Sequence, residues 1–205
     1  VIDEAQDYSL GQLKLISKIF RNASYTILGD INQTINPYYR YESLEDIKKI
    51  LPDSKYIELT KTYRSSEEIV EYSNRVLGLN HVTAIRRNKP VPVDEVVEGE
   101  LNSQLRHDIE ECKLHGKSIA IITKNQDECD KIYKMLSDTG ISKIDNSSKK
   151  FNRKFIVVPV YMAKGLEFDS VIIYTDKNNK YTKDEKYLYY VAITRAQHKL
   201  IVYNQ

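Results

Sequence analysis

The sequence predicts an α/β fold, a parallel sheet flanked by helices, from two observations. Short apolar runs alternate with helical periodicity along the chain, and several of those runs are unbroken. A run such as Ile119-Ala120-Ile121-Ile122 suits a strand covered on both faces, whereas a half-wet antiparallel strand would alternate apolar with polar residues. With 205 residues, 41% hydrophobic and 29% charged, the chain can bury one sizeable core or two small ones.

Taken in order, strands are predicted at 25–28, 57–59, 119–123, 155–160, 171–174 and 200–203. Helices are predicted at 9–20, at 44–51 behind a capping box of Ser43 and Asp46, and at 67–77 behind Ser65 and Glu68. Others cover about 102–114, 126–139 with Gly140 as its C-cap, and about 184–195. The stretch from Gly78 to Gly99 holds Pro90, Pro92 and Arg86-Arg87 with little periodicity and reads as a connector. A polar tract from Asn146 to Lys154, with Lys149, Lys150 and Arg153, reads as a solvated loop or a nucleic-acid contact.

Composition narrows the function. Lys plus Arg number 31 against 29 for Asp plus Glu, so any basic surface must be local. Cys112 and Cys129 stand alone, without a CxxC pair or a His cluster at ligand spacing, which points to a reducing compartment, the cytoplasm, and to no zinc. No apolar run approaches the roughly 20 residues of a membrane span, and no charged-then-apolar leader opens the chain. Val1 stands at the end of a strand pattern followed at once by carboxylates, so further chain is expected in front of it.

Five segments carry chemistry. Val1-Ile2-Asp3-Glu4-Ala5-Gln6-Asp7 reads as a buried strand delivering adjacent carboxylates at its carboxyl edge. There one acid could hold Mg²⁺ while its neighbour orients water, or the pair could simply serve a helix N-terminus. Leu28-Gly29-Asp30-Ile31-Asn32-Gln33 sets Gln33 after a tight turn, as a phosphate sensor or an ordinary solvated amide. Leu59-Thr60-Lys61-Thr62-Tyr63-Arg64-Ser65-Ser66 puts a ring that could stack on a base beside a guanidinium that could fork onto phosphate, or a core Tyr beside a surface Arg. In Tyr161-Met162-Ala163-Lys164-Gly165-Leu166-Glu167-Phe168-Asp169, Gly165 permits close backbone approach, with Lys164 and Glu167 opposed in charge. Tyr189-Tyr190-Val191-Ala192-Ile193-Thr194-Arg195-Ala196 ends a helix on an Arg that could stabilise a transferring phosphoryl group.

In this order the five segments resemble motifs II to VI of superfamily 1 helicases of the UvrD, Rep and PcrA kind, with Ile119-Ala120-Ile121-Ile122-Thr123-Lys124-Asn125 similar to an additional motif between IV and V. The resemblance implies two RecA-like lobes with ATP and Mg²⁺ in their cleft: residues 1–60 as the C-terminal part of the first lobe, 61–205 as the second. It implies Asp3 holding Mg²⁺ through water, Glu4 as catalytic base, Gln33 coupling the γ-phosphate to the nucleic-acid track, and Arg64 and Arg195 as γ-phosphate arginines. Tyr63 then stacks on adenine, and Glu167, beside Gly165, meets the ribose. Tyr38, Tyr39, Arg40, Tyr161 and Lys164 fall where single-stranded DNA would be contacted, and Tyr41 could stack as well.

The pattern also departs from the family. No Gly-x-x-x-x-Gly-Lys-Ser/Thr loop is present, so the chain is expected to be inactive alone and to need an N-terminal part of the same protein. Gly116-Lys117-Ser118 precedes a strand and reads as a turn. The large subdomain that usually precedes motif V is missing, and Tyr161 replaces the usual His. An ATP-dependent DNA helicase or translocase is the first expectation. The missing subdomain and Val158-Pro159-Val160-Tyr161 resemble the HelD branch, whose members remodel RNA polymerase, and this is the alternative. A degenerate lobe serving only as a binding module is the third reading.

Overall fold

The computed structural model of the chain describes residues 1–35, 39–86, 93–96, 100–144 and 154–203. They form two compact units, Val1–Leu59 and Thr60–Gln205. Tyr38, Arg87, Pro90, Pro92 and the polar tract up to Arg153 lie outside the described residues.

In the first unit, Ile2 and Ile27 form a parallel bridge, with Ile2 N–H on Thr26 O at 2.9 Å and Leu28 N–H on Ile2 O at 2.8 Å. The strand expected at 25–28 is thus a single bridge. Helix α1 (Leu10–Ile19) starts on a reciprocal capping box between Ser9 and Gln12. The helix expected at 44–51 is a 3-10 helix, Leu44–Lys49, whose N-cap Ser43 accepts Glu45 N–H at its hydroxyl. Ala5, Leu13 and Ile47 form the small core, with Ile2, Tyr8 and Ile27 packed against it. Ile57 and Leu59 are exposed, so the strand expected there does not form.

The second unit holds a parallel six-stranded sheet in the order β3-β8-β7-β4-β6-β5. The strands are β3 (Asp94–Val96), β4 (Ile119–Thr123), β5 (Ser142–Lys143), β6 (Phe155–Pro159), β7 (Phe168–Tyr174) and β8 (Ala196–Tyr203). A separate parallel pair joins β1 (Lys61–Thr62) to β2 (Thr83–Ala84). All five residues of β4 are buried. Its neighbours explain why: Ile119 and Ile121 pack with Leu105, Ile109 and Cys112 of α3 (Leu101–His115) and Cys129 and Ile132 of α4 (Gln126–Met135). Residues alternate across a strand, so Ala120 and Ile122 face the other layer, which is made by α2 (Glu67–Leu77), α5 (Val160–Ala163) and α6 (Lys186–Ile193). Burial on both faces is what makes the central runs unbroken.

The edge strands β3 and β5 are short and polar. The outer strand β3 is fastened by charge: Lys199 of β8, buried, donates to Asp94 and, at 2.9 Å, to Glu111 of α3. Burial alone would lower the Lys199 ammonium, but those two carboxylates outweigh it and hold its pKa above the usual lysine value.

The α2 cap also differs from expectation. Ser66 is the N-cap and makes no side-chain cap bond, while the Ser65 hydroxyl donates to Ala196 O at 2.6 Å, tying the helix entry to β8. The expected box with Glu68 is therefore not made. The Gly116-Lys117-Ser118 turn does join a helix to a strand, and it binds an anion of the chain's own. The N–H groups of Lys117 and Ser118 and the Ser118 hydroxyl all donate to Asp169 Oδ2, at 2.8, 2.9 and 2.9 Å.

Burial alone would raise the Asp169 carboxyl. The donors of Ser118 and Lys117, with His198 nearby, outweigh it and hold the group below the usual carboxylate range. A depressed folded-state pKa contributes stability above the unfolded value of about 3.9, lost as pH falls through the folded value. Asp169→Asn should therefore lower unfolding free energy by about 1–3 kcal/mol at neutral pH, with the difference closing in acid below about pH 4. Denaturant unfolding at several pH values checks this, and a difference independent of pH would contradict it.

Candidate functional site

In the first unit the bridge from Ile2 to Ile27 brings the Asp3-Glu4 pair and the Gly29–Gln33 turn to the same end of their two segments. Glu4 sits in the left-handed region, φ 52 and ψ 44, a conformation that costs a non-glycine residue roughly 1–2 kcal/mol. What holds it there are the two residues that follow. Ala5 N–H bonds to Leu28 O at 2.8 Å, and the buried Gln6 donates its Nε2 to Glu4 Oε2 at 2.5 Å. Gln6 Oε1 in turn accepts Asp30 N–H at 3.1 Å, and Asp30 Oδ2 accepts from Gln33 Nε2 at 2.9 Å.

Glu4, Gln6, Asp30 and Gln33 thus form one relay. Gly29 is required by close approach, since a Cβ there would lie 2.7 Å from Gln6 Oε1. Gln6 was given no role by sequence reasoning, and its only signal was its place two residues beyond a carboxylate at a strand end. Asp3 is exposed, with Oδ1 accepting Glu4 N–H at 2.9 Å. An exposed carboxylate with one oxygen so oriented fits a metal bound through water, as Mg²⁺ prefers.

The tyrosines near this unit's second segment divide. Tyr41 is 2% exposed and donates its hydroxyl to Tyr8 O at 2.7 Å, so it is a packing residue and not a base-stacking one. Tyr39 is partly buried, edge-on to Tyr41 with ring centroids 5.0 Å apart. Arg40 is exposed.

In the second unit three segments distant in sequence meet at the amino-terminal edge of β7 and β8. Arg64, leaving β1, pairs through Nη2 with Glu167 Oε1 at 2.8 Å. Gln197, the second residue of β8, donates Nε2 to Glu167 Oε2 at 2.8 Å, and its carbonyl accepts Ser66 N–H at 3.0 Å. Tyr63, next to Arg64, is 74% exposed, the state of a ring free to stack on a ligand.

Arg195 is 1% exposed, its guanidinium turned inward. It donates Nε to Val191 O at 3.1 Å, Nη1 to Leu166 O at 3.2 Å and Nη2 to the Thr194 hydroxyl at 3.1 Å. It thus touches the residue before Glu167 instead of standing free at a helix end. The α6 carboxyl terminus, where carbonyls are unpaired and the helix dipole is negative, favours a cation at this point.

Tyr161 is 46% exposed on α5, and Lys164 is its C-cap residue. Gly165 is not pressed by a close backbone approach from the described residues. Nothing lies within 4 Å of a Cβ built there, and its φ of +77 is what calls for glycine.

Elsewhere, a cavity of about 510 Å³ at the opposite edge of the sheet is lined by Asn125, Asp127, Glu128, Lys131 and Asp176. It touches none of Arg64, Glu167 or Arg195. His107, Asp108 and Glu111 bring ligand atoms within 4.8 Å of one another. Asp108 accepts from Tyr203 and Gln104 and Glu111 from Lys199, so two of the three are already engaged.

A parallel sheet between two helical layers, with two arginines and a carboxylate gathered at one strand edge, defines an α/β domain. The chain belongs to the UvrD-like helicase C-terminal domain family, whose model matches residues 100–205. It is 31% identical over 83 residues to the ATP-dependent DNA helicase Rep of Buchnera aphidicola, covering 39% of this chain and 13% of that protein. It is 32% identical over 81 residues to the ATP-dependent DNA helicase UvrD2 of Mycobacterium tuberculosis, covering 38% and 12%. The aligned part thus spans about an eighth of the length of these relatives. Among solved structures it is similar to the C-terminal domain of a possible DNA helicase from Lactobacillus plantarum, with a TM-score of 0.56 and 26% identity over 69% of this chain and 86% of that one. The PRRSV helicase shares the fold, with a TM-score of 0.54 at 14% identity, over 98% of this chain and 34% of that one.

The different settings of two tyrosines give a direct test. Tyr63→Ala should change unfolding free energy by less than about 0.5 kcal/mol, while Tyr41→Ala should cost about 3–5 kcal/mol. Equal losses in denaturant melts would contradict the assignment of Tyr63 as exposed and Tyr41 as core.

Proposed function

We propose that the chain is the C-terminal motor portion of an ATP-dependent DNA helicase or translocase that couples ATP hydrolysis to movement on single-stranded DNA. In this reading residues 1–60 belong to the first RecA-like lobe and 61–205 form the second. The observation that carries it is the cluster of Arg64, Glu167 and Gln197 above the inward-facing Arg195, assembled from three separate segments beside the exposed ring of Tyr63.

Each residue has a part. Tyr63 stacks on the adenine and Glu167, presented by Gly165, accepts a ribose hydroxyl. Arg64 meets the γ-phosphate, and Arg195 joins it by turning its guanidinium out of its bonds to Leu166 O and the Thr194 hydroxyl, so that positive charge in a fork stabilises the transferring group. Glu4, held in a strained conformation by Gln6, takes the proton of the attacking water, and Gln33 reports on the phosphate through Asp30. Asp3 would hold Mg²⁺ through water; the ion, when bound, neutralises phosphate charge. Tyr39, Arg40, Tyr161 and Lys164, with Tyr38, supply stacking and charge along the strand of DNA. Two buried cysteines that form no disulfide suit a cytoplasmic setting, and among the described residues no helix is long and apolar enough to cross a membrane.

A second reading, a HelD-like ATPase acting on RNA polymerase, is favoured by one observation. Only residues 144–154 separate β5 from β6, neighbouring strands of the sheet, which leaves no room for a large inserted subdomain.

Two measurements test the first reading. Because the 205 residues contain no phosphate-binding loop, the chain by itself should release no phosphate from ATP above the buffer blank, and measurable hydrolysis would contradict the assignment. In a complete helicase containing this chain, Arg195→Ala should lower turnover by about 10³ or more while ATP affinity stays within a few-fold. Arg195→Lys should behave nearly the same, since an ammonium lacks the planar fork. The bonds to Val191 and Leu166 mean that both variants should also melt earlier, so turnover is compared well below their melting temperatures. Near-normal turnover in Arg195→Ala would remove its assigned role.

A further inference from the structure

Gln197 belongs to no role assigned above, yet it bonds Glu167 of the exposed ion pair directly and, through Ser66, the segment that carries Arg64. Through its main chain it fastens α2: Gln197 O accepts Ser66 N–H at 3.0 Å, while the preceding Ala196 O accepts the Ser65 hydroxyl at 2.6 Å. These two bonds fix the segment from which Arg64 projects. Through its side chain Gln197 holds Glu167 Oε2 at 2.8 Å, leaving Oε1 to Arg64 at 2.8 Å.

The two holds differ in kind. Gln197 is rooted in β8, at the irregularity between the Phe168–Ala196 and Ser170–Lys199 pairs of β7 and β8, so the Oε2 contact rests on the sheet. The Arg64 contact joins two side chains about 40% exposed, and such pairs exchange readily with solvent or with a competing anion. A carboxamide also fixes a carboxylate oxygen without neutralising it, whereas a Lys or Arg at position 197 would compete with Arg64 for the charge.

We propose that Gln197 is a positioning residue of the nucleotide site. It holds Glu167 still while Oε1 passes from Arg64 to a ribose hydroxyl once a phosphate draws Arg64 away. One carboxylate then serves two partners in turn, and ribose and phosphate recognition are linked through it. This inference rests on the proposed assignment of Arg64 and Glu167 to an ATP site.

The test uses a complete helicase containing this chain and two substitutions: Gln197→Met, which keeps length and loses the donor, and Gln197→Lys, which adds a fixed charge. ATPase kinetics are measured with ATP and with its 2′-deoxy and 3′-deoxy analogues, and melting temperatures are taken in parallel. Wild type should prefer ATP over one analogue. Gln197→Met should raise KM for ATP about three- to tenfold, the worth of one hydrogen bond, with kcat within about twofold. It should leave KM for that analogue unchanged, so the preference disappears. Gln197→Lys should also lose the preference.

A merely structural Gln197 would lower the melting temperature and shift KM for all three nucleotides together, which overturns the inference. A Gln197→Met variant that keeps the wild-type preference, or a wild type indifferent to both hydroxyls, overturns it too. Those results leave ATP hydrolysis intact and so leave the functional reading standing. A wild type without ATPase activity defeats that reading and this inference with it.

Discussion

Arg195 carries a charge into the interior of the second unit, and an unsupported buried ion would cost several kcal/mol. The support comes from Val191 O, Leu166 O and the Thr194 hydroxyl, with the negative end of α6 adding to it. Because Leu166 and Phe168 flank Glu167, this solution for one charge also fixes another. Arg195 donates to Leu166 O on one side, and its own carbonyl accepts Phe168 N–H at 3.0 Å on the other. The backbone on either side of Glu167 is therefore held before any ligand arrives. Losing the guanidinium would take the donor from Leu166 O, while Val191 O keeps the Thr194 hydroxyl and Phe168 N–H keeps the Arg195 carbonyl.

Above that anchor the bonds become exchangeable. Gln197 is the intermediate case, with its main chain in the sheet and its side-chain amide at the surface, and Arg64 and Glu167 are the outermost. Burial thus orders the groups from fixed to mobile within a few residues. Arg64 and Glu167 are tethered to different elements, so either side chain can move without dragging the backbone of the other. Preorganisation of the inner layer is what makes the outer exchange inexpensive.

Much of this was legible in the sequence, for identifiable reasons. The central strands β4, β6 and β7 are buried on both faces, and their unbroken apolar runs recorded that directly. The edge strands Asp94–Val96 and Ser142–Lys143 were not legible, because edge strands are short and carry no apolar run; one is held instead by Lys199, a charge that looks like any surface lysine until its neighbours are known. Apolar Ile57 and Leu59 misled in the opposite direction: pattern alone cannot say whether a partner strand exists. At the site, the motif residues were visible, but the inward orientation of Arg195 depends on tertiary contacts 29 residues away in sequence. Gln6 and Gln197 were hidden for another reason, since neutral amides carry no chemistry of their own and acquire a role only through what they hold.

Those two glutamines point to a shared physical solution. In the first unit Gln6 donates to Glu4 at 2.5 Å, and in the second Gln197 donates to Glu167 at 2.8 Å. Each is a neutral donor that fixes one oxygen of an acid while leaving its charge in place. Asp169 shows the contrasting use of a carboxylate: three donors converge on its Oδ2, its pKa falls, and the acid is committed to closing a turn. A carboxylate saturated in that way gains stability and loses freedom to take another partner. A carboxylate held by an amide keeps both its charge and its aim, which a proton acceptor or a hydroxyl-binding group requires. The contrast lies in what each carboxylate oxygen is bonded to: a glutamine amide on Glu4 Oε2 and on Glu167 Oε2, against three donors on Asp169 Oδ2.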